Sequence, residues 1–444
     1  MPRGHPYMQS RFTRTLPSWS GQLHTNRNTN TRMLSERIGG GIVGGNGYVV
    51  PSLPPTVSRL ALPKLSQSIA RNAINAGVAE AFTRMSAADG SDLPGPALGE
   101  EDERTLNTVG IDDSGTLAIV GHNNKGAVIY KRREQKLPQT FFFDPKDVNP
   151  RDWTEFAIIS STVLGKSVAI SGLGNRIIMG GASSAQVFEN SAGSKEEANW
   201  TAVGSDTLSA PQEIMMERSV DLNSDGSMAI VGSSEGGANL YFESSGTWQG
   251  LTIPPGDLQL GRAVALATDY SIVGSFVAIL GSYGKGAEVF TSEQSGVAVS
   301  VVRLHGPSET NSSLSDSRGM SVALNAAGNR AIVGSNGSGA VVYEYDPVSK
   351  NPSGTLSQLG GTLSGFGDYS GSSVALNDAG DRALVGGSEG AIAYQLDSNN
   401  RWVRIGSTLA GSTQANRGIS VAMNGAGNTA ILGSFGAVVY ETGA

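Results

Sequence analysis

The hydrophobic and polar positions of this chain follow one pattern that recurs seven times between residues 105 and 444. A short alternating segment such as SVALN (321–325) is followed by a turn of the form Asn-x-x-Gly and then by a nearly continuous apolar run such as RAIVGS (330–335). A Gly/Ser-rich turn leads into another apolar segment, GAVVYEYD (339–346). Alternation indicates a half-buried strand, and a short continuous apolar run indicates a strand that is covered on both faces. The pattern therefore predicts short antiparallel strands joined by hairpins.

The copies repeat every 47 to 59 residues, measured between the glycines that end the second apolar run. These glycines are Gly121, Gly180, Gly232, Gly281, Gly334, Gly386 and Gly433. In four copies a fourth segment carries a tryptophan, at Trp153, Trp200, Trp248 and Trp402. Four strands in each of seven copies predict an all-β fold, a seven-bladed β-propeller of four-stranded blades over residues 105–444. We expect the tryptophans to pack between blades at the outer strand rather than to stack on a ligand.

The seventh copy ends after its third strand, at GAVVYETGA (436–444). A closed ring then needs a fourth strand from upstream of the first copy, so the N- and C-terminal parts of the chain should pair in one sheet. We favour a donor within residues 95–108. The alternative donor is SWSGQLHT (18–25), because Trp19 resembles the tryptophans of the fourth segments.

The first hundred residues do not follow the repeat. Residues 1–62 are basic and rich in Gly and Pro, which predicts an extended arm. In residues 63–88 apolar side chains recur every three to five positions and Pro63 suits a first helical turn, which predicts one amphipathic helix. Residues 89–104 are predicted to be a linker or to supply the ring-closing strand.

Composition adds constraints on function. Glycine is abundant, at 60 residues, which suits a fold with many tight turns. The chain contains no cysteine, and this excludes disulfides, thiol nucleophiles and cysteine-ligated zinc. No apolar run approaches the ~18 residues that a membrane helix needs, so we expect no membrane span.

Charge is distributed unevenly along the chain. Residues 1–100 hold ten basic and five acidic residues, a sum of +5, and because the whole chain carries −7 the other 344 residues sum to −12. The first 37 residues contain no lysine, one acid and six arginines, Arg3, Arg11, Arg14, Arg27, Arg32 and Arg37. We expect these arginines to bind protein subunits of a larger assembly. Nucleic acid is not favoured as a partner, because aromatic residues do not interleave with the arginines.

The segment GSSVALNDAGDRALVGGSEGAIAYQLD (371–397) resembles an FG-GAP-type repeat, the unit of integrin-α-like propellers, in its calcium-free variety. The resemblance extends over residues 105–444, although most copies lack the leading Phe-Gly of that pattern. It implies a propeller fold and, as one setting, a minor capsid or virion component of a large DNA virus. The integrin-like relationship implies the alternative, a surface adhesion or carbohydrate-binding propeller at the extracellular surface.

Classical FG-GAP repeats bind calcium in an acidic loop, and one copy approaches that loop at Asp221, Asn223 and Asp225. Calcium takes about six to eight oxygen ligands, several of them carboxylates. The last acidic position of the loop is occupied here by Ala229. We therefore interpret the loop as a plain hairpin turn and expect no metal, no cofactor and no small-molecule ligand.

Two segments match the Gly-x-Ser-x-Gly pattern of hydrolases, at 232–236 and 386–390, both between the second and third predicted strands. A catalytic serine in that pattern needs a strand-to-helix turn together with a histidine and an acid. The chain has only four histidines, and the two matches occupy equivalent hairpins. We predict no catalytic residues and a non-enzymatic structural or interaction protein.

The largest departure from the repeat is an insertion at 131–152, KRREQKLPQTFFFDPKDVNPRD. Loops on a rigid scaffold are frequent binding sites, and aromatic and arginine side chains are frequent anchors of protein partners. The predicted anchors in the insertion are Arg132, Arg133, Phe141, Phe142 and Phe143. The alternative is an insertion that folds onto its own blade.

Overall fold

The structure is a computed structural model of the chain. It describes residues 82–85, 108–122, 125–132, 153–161, 164–182, 184–191, 198–204, 207–211, 219–234, 236–256, 260–268, 276–282, 286–292, 298–304, 317–344, 357–410, 420–433 and 436–442. These residues belong to one compact unit, which runs from Ala79 to Ala444. The predicted arm (1–62) and residues 133–152 of the insertion lie outside the described residues.

The described residues form seven four-stranded antiparallel sheets, the blades, and no α-helix. The strands are β1 Phe82–Met85; in blade 1, β2 Thr108–Ile111, β3 Leu117–His122, β4 Gly126–Arg132 and β5 Trp153–Ser160; in blade 2, β6 Leu164–Ile170, β7 Arg176–Gly181, β8 Ala185–Asn190 and β9 Trp200–Ala202; in blade 3, β10 Val220–Leu222, β11 Met228–Ser233, β12 Gly237–Ser244 and β13 Thr247–Ile253; in blade 4, β14 Ala263–Thr268, β15 Phe276–Gly281, β16 Ala287–Ser292 and β17 Ala298–Leu304; in blade 5, β18 Ser317–Leu324, β19 Arg330–Asn336, β20 Gly339–Glu344 and β21 Ser357–Gln358; in blade 6, β22 Val374–Leu376, β23 Arg382–Gly386, β24 Gly390–Leu396 and β25 Trp402–Ala410; and in blade 7, β26 Ser420–Met423, β27 Thr429–Gly433 and β28 Ala437–Thr442.

Each blade follows the same strand order, which we letter A to D from the centre of the ring outward. The A strands of successive blades are neighbours, and β2 of blade 1 lies beside β26 of blade 7, so the ring is closed. The A–B turns and C–D connections lie at one end of the blades, the A–B face. The B–C hairpins and D–A connections lie at the other end, the B–C face. The predicted seven-bladed β-propeller is confirmed.

The repeated Asn-x-x-Gly turn has a specific structural reason. The side-chain oxygen of Asn325 accepts a hydrogen bond from the backbone N–H of Arg330, at 2.8 Å, and so caps the first residue of strand B. Gly328 completes the turn with φ +66°, a left-handed conformation that glycine adopts without steric cost. Equivalent asparagines in blades 3, 6 and 7 make the same bond, namely Asn223, Asn377 and Asn424.

The core lies between the blades as well as within them. The B strands are almost completely buried, as the continuous apolar runs predict. One cluster joins Ile230 of blade 3 to Phe276 of blade 4, and another joins Trp153 of blade 1 to Val439 of blade 7. No blade could bury both of its faces alone, so stacking around a closed ring is the arrangement that hides these side chains.

The tryptophans connect the outer strands of neighbouring blades. The indole N–H of Trp248 in blade 3 donates to the carbonyl of Val203 in blade 2, at 3.3 Å. The indole N–H of Trp402 in blade 6 donates to the carbonyl of Leu359 in blade 5, at 2.8 Å. The predicted packing between blades is therefore confirmed.

The ring is closed by β1, which lies in a segment that the sequence did not indicate. This strand pairs antiparallel with β28, with Phe82 opposite Thr442 and Met85 opposite Val439. The prediction that N- and C-terminal parts of the chain share one sheet is confirmed. Both predicted donors of the closing strand, 95–108 and 18–25, are wrong.

The helix predicted over 63–88 is wrong where the structure describes it, at residues 82–85. Without β1, strand β28 would present a row of unpaired backbone N–H and C=O groups, and pairing them outweighs a local helical pattern. Residues 63–81 and 86–88 lie outside the described residues.

Candidate functional site

A serine that precedes the first valine of strand A joins neighbouring A strands in blades 2, 3, 6 and 7. In blade 5 the Ser321 hydroxyl instead donates to the Gly371 carbonyl, at 2.8 Å. The hydroxyl of Ser373 in blade 6 accepts from the backbone N–H of Val421 in blade 7, at 3.0 Å. The hydroxyl of Ser420 in blade 7 accepts from the N–H of Val109 in blade 1, at 3.3 Å. The same bond links blade 2 to 3 and blade 3 to 4. Sequence reasoning missed this role, although the repetition of serine before valine was a visible signal.

Arginines at the start of strand B form a second link between blades. The guanidinium of Arg330 contacts Glu344 on its own blade, at 2.7 Å, and donates to the carbonyl of Gly380 in the next blade, at 3.2 Å. Arg176 and Arg382 make the corresponding bonds to the turns of blades 3 and 7. These charged side chains therefore hold the ring together.

The three residues of the calcium-like loop, Asp221, Asn223 and Asp225, make hydrogen bonds within the A–B turn and to a neighbouring strand. The amide of Asn223 donates to Asp225, at 2.8 Å, and its oxygen caps Met228. The Asp221 carboxylate accepts from the backbone N–H of Leu266 on blade 4, at 2.8 Å. Burial raises the pKa of Asp221 to about 7. Within the described residues, no group of three or more His, Cys, Asp or Glu side chains is placed to hold a metal.

Arg132, a predicted partner-binding residue, contacts its own chain. Its guanidinium donates to the Glu441 carboxylate at 2.6 Å, and so joins blade 1 to blade 7. The other predicted anchors, Arg133 and Phe141–Phe143 of the insertion, lie outside the described residues. So do the six N-terminal arginines, Arg3, Arg11, Arg14, Arg27, Arg32 and Arg37.

Two carboxylates lie close together where the A–B turns meet at the ring centre. The backbone N–H of Asp378 donates to the Gly425 carbonyl at 3.0 Å, and the N–H of Gly425 donates to the Asp113 carbonyl at 3.1 Å. Asp113 also accepts from the hydroxyl of Ser224, at 2.9 Å. Burial and the nearby negative charge of Asp113 raise the pKa of Asp378 to about 6.

The most distinctive surface feature is an aromatic–acidic patch on the B–C face, formed by Phe366, Asp368, Tyr369 and Glu389. Phe366 and Tyr369 are 36% and 39% exposed, and both carboxylates are exposed. The first three residues belong to the connection between blades 5 and 6, and Glu389 lies in the B–C hairpin of blade 6. No ion pair is found for either carboxylate among the described residues.

The connection that carries the patch is fixed to two hairpins. The carbonyls of Asp368 and Phe366 accept from the N–H groups of Ser388 and Glu389, at 2.7 and 3.3 Å. The carbonyl of Ser370 accepts from two N–H groups of the blade 5 hairpin, at 2.9 and 3.0 Å. Gly367 lies so close to the hairpin that an added Cβ would be 2.9 Å from the Glu389 Cγ atom. The patch is therefore part of the scaffold.

The sequence contains a signal for this patch. Every other connection between a D strand and the next A strand lacks Phe, Tyr and Trp, whereas the connection between blades 5 and 6 has two aromatics in four residues. In the part of the chain that the structure describes, no helix has the length and apolar character to cross a membrane.

The comparisons with known proteins identify no family for this chain. No family model matches the sequence, and no curated protein shows significant similarity to it. Among solved structures, a chain of the hydrazine synthase of Kuenenia stuttgartiensis is similar, with 14% identity, a TM-score of 0.48, and coverage of 78% of this chain and 98% of that chain. Similarity at this TM-score carries no argument about either fold or function. The FG-GAP resemblance has no support from a family match, and the class that the structure establishes is the seven-bladed β-propeller.

Proposed function

We propose that this protein is a non-enzymatic interaction scaffold, in which a rigid propeller presents its B–C face to a protein partner. The aromatic–acidic patch is the observation that carries the proposal. Its four side chains are exposed, and hydrogen bonds to two hairpins hold its backbone. The other connections between a D strand and the next A strand contain no aromatic residue. Exposed aromatics on a fixed framework are typical anchors of protein interfaces.

A photo-crosslinking amino acid placed at position 366 or 369 of the full chain tests this proposal in an extract of the native source. We expect both positions to crosslink to one defined protein. Position 173 is the matched control, because Leu173 is 58% exposed but lies in an A–B turn on the opposite face. If positions 366 and 369 yield no product beyond that of position 173, the B–C face is not the binding surface.

We further propose that the basic N-terminal arm attaches the protein to a larger assembly. The arginine content of residues 1–37 supports this role. A truncation that tests the arm must keep the ring-closing strand β1. Removal of residues 1–78 keeps β1, whereas removal of residues 1–100 would also remove β1 and open the ring. A chain lacking residues 1–78 should keep its melting temperature and fail to co-sediment with the assembly. Normal co-sedimentation would overturn the arm proposal. The virion setting and the carbohydrate-binding alternative stay predictions.

A further inference from the structure

The aromatic–acidic patch contains a strained backbone position. Tyr369 has φ +59°, in the left-handed region that glycine favours. A bulky side chain is disfavoured there by roughly 1–2 kcal/mol. Two other residues apart from glycine share such a φ among the described residues, Ser245 and Asn400, and both are small polar residues in C–D turns. Tyr369 is instead an exposed aromatic, so its ring is not held there by core packing.

Negative charge predominates along the chain around the patch, since residues 351–400 hold five acidic residues and one basic residue, Arg382. The Arg382 guanidinium donates to Gln395 and to the Gly427 carbonyl of the A–B turn in blade 7. Residues 351–381 and 383–400 contain no lysine or arginine, and they include Asp368 and Glu389. Elsewhere on the propeller, carboxylates such as Glu344 and Glu441 are paired with arginine. Among the described residues, the carboxylates of Asp368 and Glu389 have no such ion pair.

Arginine matches this combination better than other side chains do. Its guanidinium is planar, stacks on the faces of Phe and Tyr, and donates in parallel to a carboxylate. The propeller sequence from residue 101 onward sums to −12, so its field also attracts a basic segment.

We propose that the aromatic–acidic patch binds an arginine-rich segment of a different protein. In this arrangement guanidinium groups stack on Phe366 and Tyr369 and pair with Asp368 and Glu389. The inference rests on the proposed interaction function and names the chemistry of the partner.

Fluorescence anisotropy with three labelled peptides tests the proposal on the full chain. One peptide carries four arginines separated by Gly-Ser, the second carries lysine at the same positions, and the third is neutral. We expect the arginine peptide to bind more tightly than its lysine counterpart at low salt, with clear weakening at high salt because the patch is exposed.

Variants of the patch separate this site from general attraction to an acidic protein. The double substitution Phe366→Ser/Tyr369→Ser should weaken arginine-peptide binding about tenfold, since two exposed cation–π contacts are lost. Asp368→Asn/Glu389→Gln should weaken it and reduce its salt dependence. Leu173→Ser/Val403→Ser, which removes two exposed apolar side chains outside the patch, should leave binding unchanged.

Tyr369→Asn separates a loss of binding from a loss of stability, because asparagine tolerates the left-handed conformation and the variant should fold normally. This variant should keep or raise the melting temperature while it loses affinity for the peptide. A purely structural role for Tyr369 predicts a lower melting temperature and unchanged binding.

Several results would overturn the inference. Equal binding of the arginine and lysine peptides, or equal binding by the patch variants, would show only general charge attraction. Binding of a neutral oligosaccharide that is lost in Phe366→Ser/Tyr369→Ser would assign the patch to sugars. A dimer of the unliganded chain that the same variants abolish would identify a second copy as the occupant. Crosslinking from position 369 to a protein that lacks an arginine-rich segment would reject this inference and leave the interaction scaffold intact.

Discussion

Arg132 on strand β4 of blade 1 donates a hydrogen bond to Glu441 on strand β28 of blade 7, across the interface where the first and last blades of the ring meet. Blade 7 has Thr429 at the position where blades 2, 5 and 6 have the inter-blade arginine. The arginine that forms an ion pair with Glu441 therefore belongs to the neighbouring blade, blade 1. The acid side chain is 6% exposed and the arginine side chain is 33% exposed.

Removal of Arg132 should weaken this closure. Arg132→Gln removes the guanidinium from the nearly buried Glu441 carboxylate and should lower the free energy of unfolding by about 1–2 kcal/mol. Chemical denaturation of Arg132→Gln, Glu441→Gln and the double variant would give the coupling energy of the pair.

The exposed ion pair Arg401–Asp397, within one C–D turn, is the control for the double-mutant cycle of Arg132 and Glu441. Its arginine side chain is 72% exposed, so Arg401→Gln should leave the free energy of unfolding unchanged within the error of the measurement. Equal effects of Arg132→Gln and Arg401→Gln would contradict a special role for the contact between blades 1 and 7.

The ring-closing strand gives a second prediction. A chain that begins after residue 86 lacks β1 and leaves the edge of β28 unpaired, whereas one that begins at Ala79 keeps the strand. Loss of several ladder hydrogen bonds should cost about 2 kcal/mol or more, and an open strand edge promotes aggregation. We expect the shorter chain to melt several degrees lower and to elute partly as aggregate. Identical melting of the two truncations would show that β1 does not stabilise the ring.

The sequence predicts the blades well because each turn and strand is specified locally. The asparagine that caps strand B, the glycine with positive φ and the buried apolar run all lie within about fifteen residues of one another. The closing strand could not be found in this way. Its four residues, Phe-Thr-Arg-Met, fit a helical pattern as well as a strand, and only the free edge of β28, far along the chain, decides between them. The patch was missed for a similar reason, because Glu389 joins Phe366 and Tyr369 only through the fold.

Two adjacent serines in blade 6 test the links between A strands. Ser373 accepts from the backbone N–H of Val421, whereas the buried hydroxyl of Ser372 has no hydrogen-bond partner among the described residues. Ser373→Ala leaves a backbone donor unsatisfied and should destabilise the protein by about 1 kcal/mol. Ser372→Ala removes an unsatisfied polar group and should be neutral or stabilising. Thermal melting of the two variants checks this order, and the reverse order would contradict the assigned bond.

The carboxylates of Asp378 and Asp113 predict a pH dependence of stability. The pKa of Asp378 is raised to about 6 in the folded protein, from an ordinary value of 3.8, so the folded state binds this proton more tightly than the unfolded chain. Its contribution to stability is then present below about pH 4 and is lost as the pH rises through 6. Asp378→Asn should therefore stabilise the protein at pH 7 and have little effect at pH 4. The gain should be no more than about 1 kcal/mol, because the carboxylate is only partly buried and solvent screens its charge. Asp113→Asn removes the neighbouring charge and should act in the same direction. Denaturation curves at both pH values measure these differences, and a stabilisation by Asp378→Asn that is equal at pH 4 and pH 7 would show that the two carboxylates do not interact.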